Sequence, residues 1–193
     1  MEKSRQDSEA TRQRILAAAV VEFAEHGIAG ARVDRIAAAA KSNKQLIYQY
    51  FGNKEGLFHT VLDRELARAA EGISFSPYDL ERYAGAYFDF AMANPRVMRL
   101  IAWCGLEAKR PIGGVTSAKF KLDLVAAAQE SGQVSNRFSP EFILSTIWAL
   151  DTAWVPSNWF GSHLDFDAAT NAARHREAIV RLVGLMIRPD PKS

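Results

Sequence analysis

Six side chains within residues 43–54 are of the types that recognise nucleic acid: Lys44, Gln45, Tyr48, Gln49, Tyr50 and Lys54. Glutamine pairs bidentately with an adenine edge, lysine donates to guanine or phosphate, and a tyrosine hydroxyl donates to phosphate oxygens. The run NKQLIYQY suits a helix of about two turns, with Asn43 as its N-cap. Lys44 and Gln45 then occupy the first turn, where free amides and the helix dipole favour an anion. Ile47 is its one strong apolar anchor. Upstream, Arg32 and Arg35 add charge: between Ile28 and Lys54 five cations stand against Asp34 alone. A local basic face on a chain of net charge +2 is the footprint of a phosphate-binding surface.

A helix that short does not stand alone in water, so other elements must hold it. Helical periodicity runs through most of the chain and strand signals are scarce. The pattern predicts nine helices, over residues 11–25, 33–40, 44–50, 54–70, 80–91, 96–109, 117–130, 139–155 and 168–187. Asp7 or Ser8 is the expected cap of the first, Asn53 of the fourth, and Ser139 followed by Pro140 marks the start of the eighth. Residues 110–114 read as a break and the RPDPKS tail as frayed. The expected class is all-α. Three short N-terminal helices form a helix-turn-helix DNA-binding domain over 1–53, and residues 54–193 form a larger helical body.

The segment VDRIAAAAKSNKQLIYQYFGNKEGLF, preceded by TRQRILAAAVVEFAEHG, resembles the DNA-binding domain of TetR-family transcriptional regulators. An aromatic recognition helix ending in Tyr-x-Tyr-Phe and a Lys-Glu-x-Leu helix start follow one another at the family's spacing. The resemblance implies that Tyr48, Tyr50 and Lys54 contact phosphate, and that Lys44, Gln45 and Gln49 lie where bases are read. Three departures stand out. Arg32 and Arg35 replace the usual Thr and acid of a capping box, at a cost of about 1 kcal/mol, and both are expected beside the DNA backbone. Lys41 replaces the usual turn glycine, where a left-handed conformation costs about 1–2 kcal/mol. Leu46 replaces a frequent small hydroxyl residue.

One recognition helix reads few bases, so such domains work as dimers on paired half-sites. Ile143, Ile147, Leu150 and Trp154 on the eighth helix, with Ala172, Ile179, Val183 and Met186 on the last, supply apolar stripes for a four-helix homodimer interface, which is also where the resemblance puts it. The aromatic-rich middle of the chain contains all four tryptophans. Trp103, Cys104, Trp148, Asp151 and Trp154 are the candidate lining of a small-molecule pocket. Asp151 lies in an apolar helix and therefore needs a partner, either Arg99 or a cationic or hydrogen-bonding ligand.

Apolar residues make up 48% and charged residues 24% of the 193, a balance suited to a folded soluble domain. No run approaches the roughly 18 apolar residues of a membrane span. A single cysteine fits a reducing compartment, and a cytoplasmic location is expected. The histidines are dispersed, without metal-ligand spacing, and no nucleophile elbow or phosphate-cradling loop is present. No catalysis, cofactor or metal is therefore expected. The expected function is a ligand-responsive regulator, a repressor released from a palindromic double-stranded DNA operator by a small-molecule effector. The alternative is a DNA-binding regulator controlled by a protein partner or by abundance.

Overall fold

The structure, a computed structural model, describes residues 2–107 and 115–189, and within them all side chains except those of 2–5, 70, 115–117 and 162. Ten helices and no strands occur among the described residues: α1 (Glu2–Gly30), α2 (Val33–Ala39), α3 (Lys44–Phe51), α4 (Lys54–Gly72), α5 (Leu80–Ala93), α6 (Pro95–Glu107), α7 (Val115–Glu130), α8 (Pro140–Asp151), α9 (Trp159–Leu164) and α10 (Ala172–Ile187). The chain divides into two compact units. One comprises Met1–Ala67 with Arg96–Gly113, the other Arg68–Pro95 with Gly114–Ser193. Compactness thus places α6 and most of α4 with the N-terminal helices, whereas the expected boundary at 53/54 follows the end of the reading helix.

In the first unit, Ile15, Leu16, Ala19 and Phe23 of α1 form the apolar stripe that holds α2, α3 and α4. Phe23 meets Phe58 edge-on, with ring centroids 5.2 Å apart. Helix α1 does not start at a cap near Asp7 or Ser8. It continues back to Glu2, and both residues lie inside it. Its helical geometry breaks at Gly27 (φ 69°). There α6 braces it: the Glu107 carboxylate accepts the amides of Ile28 and Ala29 at 2.6 and 2.9 Å, and the Trp103 indole donates to the Ala24 carbonyl at 3.3 Å. These contacts satisfy amides and a carbonyl that the break would otherwise leave open.

In the second unit, α5, α7, α8 and α10 enclose a core of Leu80, Tyr83, Phe88, Val125, Ile143, Ile147, Ile179 and Val183. Ser139 caps α8 with Pro140 in the first turn, as its sequence predicts. Two features differ from expectation. Helix α8 stops at Asp151 and the chain turns into a further short helix, α9, capped by Asn158. Periodicity could not show α9, because Trp159, Phe160 and Leu164 are all exposed and leave no buried stripe to detect. Helix α10 begins at Ala172 rather than 168, because the Asp165 carboxylate gathers Asn171 and His175 and holds the preceding residues in turns. The expected break at 110–114 and the last residues, 190–193, lie outside the described residues.

Candidate nucleic-acid interface

Helix α3 is built as its local sequence requires. The Asn43 side chain accepts the Leu46 amide at 2.8 Å, and Ile47 is fully buried. With cap and anchor in place, Lys44, Gln45, Tyr48 and Gln49 lie exposed on one side of the helix, Tyr48 at 40%. Leu46 is half-buried beside them. Phe51 is buried, with the Arg12 guanidinium 5.6 Å above its ring. Gly52 then adopts φ 77°, a conformation that glycine enters without the Cβ penalty. Asn53 restarts the chain by accepting the Gly56 amide at 2.7 Å.

The turn between α2 and α3 has the strain its sequence implies. Lys41, at φ 50°, is the only non-glycine residue with positive φ among those described. The Ser42 amide closes back on the Ala37 carbonyl at 2.9 Å, fixing the angle between the two helices.

Four of the expected DNA contacts, Arg35, Lys44, Tyr50 and Lys54, have side-chain partners inside the protein. Arg35 is paired with Glu22 of α1, at 2.6 Å from Nη2 to Oε1. The Arg32 side chain makes no cap for α2, but its amide donates to the same Glu22 oxygen at 2.7 Å. Burial opposes ionisation of Glu22, yet the Arg35 hydrogen bond and the Arg32 amide outweigh it and hold its carboxyl below the ordinary value. Glu22 therefore takes over the role of the missing capping box. A lone acid on the buried side of α1, ten residues before an arginine pair, was the available signal for it. Lys54 donates to the carbonyls of Ala29 and Ala31 at 3.1 and 3.2 Å, so its place at a helix N-terminus has an explanation without a phosphate. The Tyr50 hydroxyl shares a 2.7 Å hydrogen bond with Ser8 of α1. Lys44 makes an exposed pair with Asp34 at 3.1 Å, which raises its affinity for its proton but leaves it available to exchange partners.

The candidate ligand residues are divided between the two units. Trp103 and Cys104 belong to the first unit, while Trp148, Asp151 and Trp154 belong to the second. Trp103 is engaged with α1, and Cys104 is buried in its unit's core, where burial and then the charge of Asp63 push the thiol up. Asp151 is fully buried, and neither carboxylate oxygen has a hydrogen-bond partner. Arg99, the partner expected from the sequence, donates instead to the Glu25 carbonyl at 3.4 Å.

Of the expected dimer residues, four are buried and four are partly buried. Ile143, Ile147, Ile179 and Val183 form the core of their own unit, and Leu150, Trp154, Ala172 and Met186 pack around it. The opposite sides of the same helices are open. Phe142 and Ala149 on α8, with Ala178, Leu182 and Leu185 on α10, are exposed. An apolar helix shows two faces in its periodicity, and only the packing of α5 against them selects the inner one.

Residues 15–61 match the model for bacterial regulatory proteins of the tetR family, and residues 79–184 match a tetracyclin repressor-like C-terminal domain. Among curated proteins, the chain is 50% identical over 101 residues to the HTH-type transcriptional repressor SCO4008 of Streptomyces coelicolor, covering 52% of this chain and 53% of that one. It is 48% identical over 58 residues to the repressor NicS of Pseudomonas putida, covering 30% of this chain and 27% of that one. The chain thus spans about half the length of the first relative and a quarter of the second. A crystal structure of SCO4942 from Streptomyces coelicolor, described as a candidate transcriptional regulator, superposes with a TM-score of 0.79 at 37% identity, over 93% of this chain and 99% of that one. With both domain models matched and the helical architecture shared along its length, the chain belongs to the TetR family.

Proposed function

We propose that this protein is a sequence-specific DNA-binding transcriptional regulator, acting as a repressor that a small molecule releases from its operator. The observation that carries this reading is the exposed row Lys44, Gln45, Tyr48 and Gln49 on a helix fixed by the Asn43 cap and the Ile47 anchor. These side chains suit a major groove: Lys44 and Gln45 at base edges, Tyr48 at a flanking phosphate. Arg32, whose side chain is exposed, can reach the backbone, while Arg35, Tyr50 and Lys54 act first as struts of the domain. Two relatives carry the name of repressor, which supports that sign of regulation here.

The working form is a homodimer on a palindromic site, with recognition helices about 34–36 Å apart. The exposed apolar sides of α8 and α10, centred on Phe142, Leu182 and Leu185, are the surface best suited to pair. No helix of the described residues is long and apolar enough to cross a membrane, in keeping with a cytoplasmic site of action. The effector acts by favouring a dimer in which that helix spacing is lost. A hundredfold release requires about 2.7 kcal/mol of differential effector affinity between the two states.

Selection of bound sequences from random duplex DNA tests the reading. The expected product is a palindrome bound with a steep salt dependence. A pool without enrichment removes the claim.

A further inference from the structure

Asp151 is the last residue of α8 and is fully buried, with both carboxylate oxygens unpaired. A buried carboxyl without hydrogen bonds is costly, and proteins normally satisfy it with a donor or a cation. Neither oxygen is reached by Tyr83 or Arg176. The Tyr83 hydroxyl accepts from the Trp148 indole at 3.0 Å and from Lys121 at 3.2 Å. Arg176 of α10 is held by Asp89 at 2.8 Å.

The surroundings are aromatic, and they already hold a cation. The Lys121 ammonium lies 5.1 Å from the Tyr83 ring, 5.5 Å from Phe75 and 5.9 Å from Trp148. Ring faces in this arrangement attract positive charge. Trp148 and Trp154 flank Asp151 in the chain, and its charge acts on both Tyr83 and Tyr87 of α5. An unsatisfied carboxyl and π-faces together make the chemistry of an ammonium or amidinium site, with the acid as the counter-ion.

We propose that Asp151 anchors a small molecule carrying a protonated nitrogen on a planar, largely apolar body, and that this molecule is the effector. This rests on the ligand-responsive reading above and specifies its chemical class. Without ligand, the acid is kept neutral: burial, and then the charge of Asp89, push Asp151 up to about 8. A bound cation reverses this balance and ionises the carboxyl, so binding near pH 7 expels a proton into solution. The other titratable groups acting on Asp151 or its flanking tryptophans are Tyr83, Tyr87 and Asp89 from α5, Lys121 from α7, and His175, stacked on Trp154, from α10. Affinity therefore rises by up to about tenfold per pH unit from pH 6 towards 8 and then levels.

The test is calorimetric titration of the full chain, without DNA, using tryptamine, phenethylamine and benzamidine. Indole-3-propionate and benzamide serve as the charge-reversed and neutral counterparts. At least one of the three cations is expected to bind at least tenfold more tightly than the counterparts. Measured in two buffers of different ionisation enthalpy at pH 7, it should release close to one proton per site. Asp151→Asn should remove both the preference and the proton release, with the helical circular dichroism retained. The proposal falls if no cation outbinds the counterparts, if binding releases no proton, or if Asp151→Asn binds as the wild type does. Should Asp151→Asn fail to fold, the wild-type proton count decides alone. Because no DNA is present, a chain that selects an operator but ignores all three cations loses only this inference. A chain that binds them through Asp151 but selects no operator loses only the regulatory reading.

Discussion

One oxygen of Glu22, on α1, accepts both the guanidinium of Arg35 at 2.6 Å and the backbone amide of Arg32 at 2.7 Å. The carboxylate thus joins α1 to the start of α2, where the residue type at position 32 supplies no side-chain cap. Removing it in Glu22→Ala should lower stability by about 1–2 kcal/mol, measured by urea denaturation. Glu22→Gln, which keeps an acceptor for the amide, should lose less. The sign with pH follows from the lowered carboxyl. Its folded-state value is below the unfolded one, so its stabilisation is present above the ordinary carboxylate range and lost as pH falls through the folded value. The acid side of the wild-type stability profile should therefore flatten in Glu22→Gln. Equal acid sensitivity in the two proteins would count against the role given to Glu22.

Lys41 bears a Cβ at φ 50°. Glycine there escapes the left-handed penalty but adds freedom to the unfolded chain, so Lys41→Gly should gain up to about 1 kcal/mol. Lys41→Val should lose stability, because a β-branched side chain tolerates that backbone worst. Thermal melts of the two variants should move in opposite directions.

Gln45 and Lys54 should separate reading from support. Gln45 is exposed in the first turn of α3. Gln45→Ala should relax preference at one operator position, at about 1–3 kcal/mol of discrimination, with the melting temperature unchanged. Lys54→Ala releases the carbonyls of Ala29 and Ala31 and should weaken binding to every sequence while lowering the melting temperature. A Lys54→Ala protein with wild-type stability would show that phosphate contact is its main role.

Leu182 and Leu185 are 47% and 54% exposed on α10, while Ile179 and Val183 on the same helix are buried. Leu182→Glu with Leu185→Glu should yield a folded monomer by analytical ultracentrifugation, with operator affinity lost. Ile179→Ala should instead cost about 2–5 kcal/mol of stability as a core truncation. If the double glutamate variant remains a dimer, the pairing surface lies elsewhere.

Much of the reading unit was legible in the residues themselves. Asn43 as a cap and Ile47 as an anchor follow from hydrogen bonding and apolar spacing within a few residues, whereas the strained turn at Lys41 was indicated by the family resemblance. The same locality made Ser139 and Pro140 a dependable start for α8. Helix α9 escaped notice because periodicity detects burial, and its large side chains are exposed.

Tertiary structure decided what each side chain meets. Arg35 and Lys54 are cations whose partners, Glu22 and the carbonyls of Ala29 and Ala31, come from a different helix and the turn after it. No spacing rule spans that distance. The two stripes of α8 and α10 were visible as apolar periodicity, but their inward or outward sense depends on where α5 packs. The sequence by itself determined a capped, basic, anchored helix, because those forces act within one or two turns. Only the folded chain determined that Asp151 would be buried with no counter-charge, because an ion pair is a meeting of distant segments.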